Sequence, residues 1–155
     1  MTTDNVKCAE AQMLIRKPAE TVFNAFIDPE ITKNFWFTKG SGMLESGKTV
    51  TWDWEMYNVS ARVFVKSVEP NKKITLEWDE PPTTIDFEFQ SLRDGATYVT
   101  IRNYGFKQTG DDLIGVIKDA TGGFTTVLDG LKAFLEYNIQ LNLIADKFPP
   151  EVTNH

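Results

Sequence analysis

The sequence is short of the residues on which much enzyme and metal chemistry depends. It has one histidine, His155, the last of 155 residues, and one cysteine, Cys8. A Ser-His-Asp or Cys-His arrangement therefore lacks its base, and a His/Cys zinc site lacks its ligands. A lone Cys8 makes no internal disulfide. The stretch "GSGMLESGK" holds Gly40, Gly42 and Gly47 without the spacing of a phosphate-binding loop. No carboxylate run has the spacing of a calcium-binding loop. No catalytic set, metal or cofactor is expected on these grounds. Long apolar runs are also missing: none approaches the roughly 20 residues that a membrane span needs. The opening "MTTDNVKCAEAQ" has neither the basic nor the apolar region of a signal peptide. Positive charge is in deficit, with 16 Lys and Arg against 22 Asp and Glu, a net charge of −6. Such a surface repels phosphates, which argues against nucleic acid or an anionic membrane as partner. A cytoplasmic protein fits these absences.

Aromatic residues are plentiful instead: 11 Phe, 4 Trp and 4 Tyr, 12% of the chain. They fill a core or they wall a cavity, and composition alone leaves both open. The length suits one domain, 1–155, and no repeat or linker interrupts it.

Along the chain, a first strand is predicted near Cys8 to Arg16. Then "KPAETVFNAFIDPEITKNFW" reads as two short helices. Pro18 suits a helix start, and Asp28-Pro29 separates an apolar face of Val22, Phe23, Phe26 and Ile27 from a second helix. A block of strands follows, and its turns assign faces by parity, because opposed residues in a hairpin share a side. A two-residue turn at Tyr57-Asn58 pairs Trp54 with Ala61 and Trp52 with Val63. A turn at Pro70-Asn71 pairs Val65 with Leu76 and Val63 with Trp78. The Pro81-Pro82 connection pairs Trp78 with Ile85, Leu76 with Phe87 and Ile74 with Phe89. A three-residue "RDG" loop pairs Phe89 with Val99 and Phe87 with Ile101. One apolar set then shares a face, while Asp53, Arg62, Thr75, Glu77, Asp86, Glu88, Thr100 and Arg102 take the other. After a polar loop around "KQTGDD", Phe124, Val127, Leu128, Leu131, Phe134, Leu135 and Ile139 recur at helical spacing, until "KFPP" stops them. The predicted class is α+β: a curved antiparallel sheet wrapped around a long C-terminal helix, the helix-grip arrangement, with two short helices after the first strand.

Residues carry that likeness further. "IRKPAETVFNAFIDPEITKNFW" resembles a family opening of apolar strand, proline, "x-E-x-V-F/W-x-A", "D-P-E-x-I/L" and an aromatic cluster. "VEPNKKITLEW" is similar to its strand pair, with Val68, Pro70, Ile74 and Trp78 in place. "GGFTTVLDGLKAFLE" is similar to its closing helix through Gly123, Leu128, Leu131, Leu135 and Glu136. Together they resemble the activator of heat-shock protein 90 ATPase homologue-like branch of the START/SRPBCC superfamily. Phe124 stands where tryptophan is common, and Asn103 stands where many members have histidine. The resemblance implies an apolar cavity between sheet and helix, and it admits lipid and hormone binders, aromatase/cyclase-like enzymes and chaperone-associated, stress-response proteins.

One contradiction remains within the helix. Gly130 sits mid-helix, where glycine costs roughly 1 kcal/mol relative to alanine. It lies in line with Gly123, Val127 and Phe134 on the apolar side. Either it lets the helix approach the sheet closely, or its missing side chain leaves cavity volume, and the cavity is the expectation taken forward. The expected ligand-binding set is Trp52, Trp54, Trp78, Phe87, Phe89, Ile101, Asn103, Phe124, Val127, Gly130, Leu131 and Phe134. Asn103 either bridges backbone at its strand end or orients a ligand. Tyr57 and Tyr104 are further polar candidates. Asp129, Lys132 and Glu136 read as the wet face of the helix. Three functions stay open. The leading one is a noncatalytic carrier or sensor for a small apolar or aromatic ligand; the others are a cyclase- or hydratase-like enzyme and a module that docks a chaperone or other protein.

Overall fold

The computed structural model describes residues 7–153, so His155 lies outside the described residues. The elements run β1 (Cys8–Ile15), α1 (Ala19–Ile27), α2 (Pro29–Thr32), β2 (Lys39–Gly40), β3 (Thr49–Trp54), β4 (Val59–Glu69), β5 (Lys73–Trp78), β6 (Thr83–Ser91), β7 (Thr97–Tyr104), α3 (Gly110–Tyr137), α4 (Leu143–Lys147) and α5 (Pro150–Thr153). The strands form one antiparallel sheet in the order β1-β7-β6-β5-β4-β3-β2. The sheet is curved and open, and the long α3 lies against it, the helix-grip arrangement. Short turns explain the order, because each hairpin places its second strand beside its first and only β1 must travel to pair with β7. Among the described residues no helix is long and apolar enough to cross a membrane.

The expected faces hold, but two of the expected registers do not. Trp54 opposes Val59 and Trp52 opposes Ala61, because a 3-10 turn over Glu55–Tyr57 and a left-handed Asn58 lengthen the connection. Asp53 therefore opposes Ser60, whose hydroxyl donates to its carboxylate at 2.5 Å, and not Arg62. At the Pro81-Pro82 connection Trp78 opposes Thr83, Leu76 opposes Ile85 and Ile74 opposes Phe87. Both shifts are by two residues, which preserves the side each residue faces. Val65 does oppose Leu76, by a different route. The turn after Glu69 is one residue longer than expected, and a bulge between Val65 and Ser67 restores the register. The "RDG" loop pairs Phe89 with Val99 and Phe87 with Ile101 as expected.

The long helix ends at Tyr137, earlier than expected. Asn138 takes a left-handed conformation. Its N–H reaches the Phe134 carbonyl at 2.9 Å, and the Ile139 N–H reaches the Ala133 carbonyl at 3.2 Å. The Asn138 bond is that of a left-handed αL ending, with asparagine in the glycine place. Ile139 thus lies outside the helix and is exposed. Nor do Lys132 and Glu136 belong to a wet face. Glu136 accepts from the Arg16 N–H at 2.8 Å and from Lys132 Nζ at 2.7 Å, while Lys132 also donates to the Leu14 carbonyl. The pair clasps the end of β1 to α3.

Candidate functional site

The apolar sheet face and α3 do not meet evenly. Toward the C-terminal half of α3, the segment after α2 fills the space between them. Phe35 is buried there, and a Cβ built on Gly130 would lie 3.3 Å from the Phe35 Cβ and 3.3 Å from its backbone oxygen. Gly130 is therefore a close-approach glycine, and the expectation that it marks cavity volume is corrected. Phe26 continues the packing, with ring contacts to Phe35, Phe87 and Phe89 at 5.6, 5.1 and 5.9 Å. Trp52, Phe87, Phe89, Ile101 and Leu131 are all buried within this filled part. Phe134 packs on Phe35 at 6.5 Å. None of these seven residues, Gly130 included, lines the open space.

That open space begins one turn further toward the helix start. A cavity of about 1100 Å³ lies under α3 from Val116 to Val127 and against the ends of β3, β5 and β7. Trp54, Trp78, Asn103, Phe124 and Val127 of the expected set do line it. The glycines that open it are Gly122 and Gly123. A Cβ on Gly123 would meet nothing within 4 Å, and one on Gly122 only the tip of Lys147, at 3.5 Å. The helix thus carries two kinds of glycine, seven residues apart.

Trp36 is the wall residue that the sequence reading missed. It sits in the loop after α2, where no helical or strand period points to a face. Its ring nonetheless meets Trp52, Trp54, Trp78 and Phe124, at 4.9, 6.3, 6.2 and 5.9 Å. Trp36 joins the filled half to the cavity wall. The aromatic cluster "NFWF" was the one signal that could have found it. Tyr57 lines the cavity's edge and donates to the Ile144 carbonyl, holding the turn after β3 to α4. Tyr104 is not a cavity residue. It lies on the outer face, donating to Asp86 at 2.9 Å, and burial together with that carboxylate pushes its hydroxyl up to about 12.

The polar part of the wall is a directed line of hydrogen bonds. Asn103 is buried, and its Nδ2 donates to the Thr84 carbonyl at 2.9 Å and to Thr83 Oγ1 at 3.0 Å. A carbonyl only accepts, so the amide orientation is determined by its neighbour. Thr83 in turn donates to Asp79 Oδ2 at 3.3 Å. Partial burial at the cavity rim raises the Asp79 carboxyl above the usual range, and the Thr83 hydrogen bond offsets part of that rise. Asn103 therefore bridges backbone, the first of the roles weighed for it, and it also lines the cavity. Asp79, Glu80, Lys107, Lys118, Asp119 and Lys147 supply an exposed, mixed-charge rim. Trp78 Nε1 is buried without a partner, a cost of about 1–3 kcal/mol for an indole donor left dry. Among the described residues no cluster of His, Cys, Asp or Glu could hold a metal ion.

Known structures share this architecture. Protein SSP2350 from Staphylococcus saprophyticus is 32% identical, with a TM-score of 0.74 over 86% of this chain and 95% of that one. The Aha1 dimer from Colwellia psychrerythraea is 19% identical, with a TM-score of 0.73 over 84% of this chain and 96% of that one. DynU16, from the dynemicin biosynthetic locus, is 16% identical, with a TM-score of 0.77 over 86% of this chain and 49% of that one. The last two likenesses are of fold. Among curated proteins none matches the sequence. Residues 16–136 match a family model, from the strand end that Glu136 clasps to Glu136 itself, and the chain belongs to the Activator of Hsp90 ATPase homolog 1-like protein family.

Proposed function

We propose that this protein binds a small, largely apolar or aromatic molecule beneath the first half of α3, as a carrier or sensor. The observation that carries this reading is the unfilled space of about 1100 Å³ beside an otherwise packed core, bounded by Trp36, Trp54, Trp78 and Phe124. Its size lies just above the usual range of small-molecule pockets, and its largely apolar inner wall, with Thr83 and Asn103 as polar groups and the charges at the rim, matches their chemistry. Affinity comes from apolar area removed from water, at roughly 25 cal/mol per Å². Gly122 and Gly123 support the reading, since each lowers helix stability and neither is needed for close packing.

The enzyme reading needs a proton carrier inside the cavity. Asp79 is the acid with the raised carboxyl there, but it stands at the exposed rim. The chaperone-docking reading rests on the family's description. Native mass spectrometry of protein purified from its own host tests the binding reading. A co-purified small molecule, displaced by the neutral dye Nile red, is expected. Protein that carries nothing and gives no saturable Nile red signal would overturn it.

A further inference from the structure

The hydrogen-bond line on the wall has a direction, and the direction selects a ligand. Both amide hydrogens of Asn103 are committed, one to the Thr84 carbonyl and one to Thr83 Oγ1. What remains is the carbonyl oxygen, Oδ1, an acceptor and nothing else. Asn103 is 2% exposed, so this acceptor has almost no water of its own. Among the described residues Trp78 Nε1 is the one buried side-chain nitrogen or oxygen without a partner. Among the described residues no hydrogen bond reaches Asn103 Oδ1 either, yet it is not among the sealed atoms, and the open space that Asn103 borders is the cavity.

The amide cannot turn over to offer an N–H instead. A flip would set its oxygen against the Thr84 carbonyl oxygen, two acceptors face to face. Thr83 adds a second constraint. Its hydroxyl hydrogen is directed to Asp79, so toward Asn103 it presents lone pairs that only an N–H can meet. The line Asn103 to Thr83 to Asp79 therefore locks the acceptor outward.

Resting on the binding reading above, we infer that the ligand is an apolar molecule carrying a hydroxyl group, which donates to Asn103 Oδ1. A hydroxyl supplies the hydrogen-bond donor that an acceptor-only site needs. A carboxylate or ketone at this place meets the Asn103 oxygen with a second acceptor and is rejected. Specificity of this kind comes from leaving a buried polar group unpaired when the wrong ligand enters.

Two probes of nearly equal shape decide the matter: 4-phenylphenol and 4-methoxybiphenyl, titrated calorimetrically into the full chain. The parent protein is expected to bind the phenol about tenfold more tightly, the worth of one buried hydrogen bond. In Asn103→Leu the two affinities should come within about twofold of each other. The ratio is read within one protein, so a general loss of stability cancels. Where Asn103→Leu does not fold, Thr83→Val serves, because it unlocks the amide without removing it. The preference should then fall to about threefold. Equal affinities in the parent, or a preference that survives in the variant, would overturn the inference while leaving the cavity reading intact. If neither probe binds but Nile red does, the hydroxyl reading is wrong; if Nile red also fails, the cavity reading falls with it.

Discussion

The two halves of the space between α3 and the sheet are built from the same residue types and do opposite things. Beneath Gly130 the aromatics are spent on each other: Phe26, Phe35, Phe87 and Phe89 interlock, and the helix touches backbone. Beneath Gly123 the rings of Trp36, Trp54, Trp78 and Phe124 border open volume. The difference is the segment after α2. Phe35 is inserted under the second half of the helix, Trp36 of the same segment reaches as far as Phe124, and beyond it the space toward the helix start stays open. Aromatic content therefore does not decide between core and cavity. The decision lies with whether a third layer enters between helix and sheet.

The largest expected contrast is between two tryptophans on one strand. Trp52 is 2% exposed, stacked on Phe37 at 4.9 Å, and lies in the filled half. Trp52→Ala should cost about 3–5 kcal/mol in denaturant unfolding. Trp54 is 9% exposed and has one side on the open cavity, so Trp54→Ala should cost less than Trp52→Ala. Similar losses for both would blur the two-region picture.

The Glu136 clasp sharpens the comparison next, because it shuts the filled end against β1. Burial pushes the Glu136 carboxyl up, but hydrogen bonds from Lys132 and the Arg16 N–H outweigh that and hold it below its usual range. A lowered carboxyl stabilises the fold above its unfolded value, and that contribution is lost as pH falls through the folded value. Glu136→Gln should therefore lower stability at neutral pH by about 1.5–3 kcal/mol, the scale of a hydrogen bond to a charged group. The gap to the parent should close in acid, below the carboxylate range. A gap that does not change with pH would remove the charge from the explanation.

The smallest contrast is the pair of glycines. Gly123→Ala meets open space and gains helix propensity, so it should be stabilising by about 1 kcal/mol. Gly130→Ala gains the same propensity but presses on the Phe35 backbone, and overpacking of about 1–3 kcal/mol should make it net destabilising. Thermal melts that shift in the same direction for both would show that the two halves are not packed differently.

Much of the fold was legible because parity is robust. The connections after Trp54 and Trp78 were each misjudged, yet a two-residue shift returns every side chain to its expected face. Opposed partners were less legible, since turn length depends on local choices such as the left-handed Asn58 and Asn71. For the site, periodicity identified which residues share the inner face and could not say how far away the facing surface lies. Gly130 and Gly123 share a helix line, and only the position of Phe35 distinguishes them. Trp36 was illegible as a wall residue for a related reason: a loop that folds back inward has no period to betray it.

The most direct test of the account is Nile red titration of the parent and of Gly123→Leu, with circular dichroism melts of both. A leucine at Gly123 projects into the cavity and should leave the fold intact. The account predicts saturable, single-site binding to the parent, with dye affinity reduced at least about tenfold in the variant at an unchanged or higher melting temperature. Undiminished binding to a folded Gly123→Leu protein would contradict it, because the dye would then sit somewhere other than under the first half of α3.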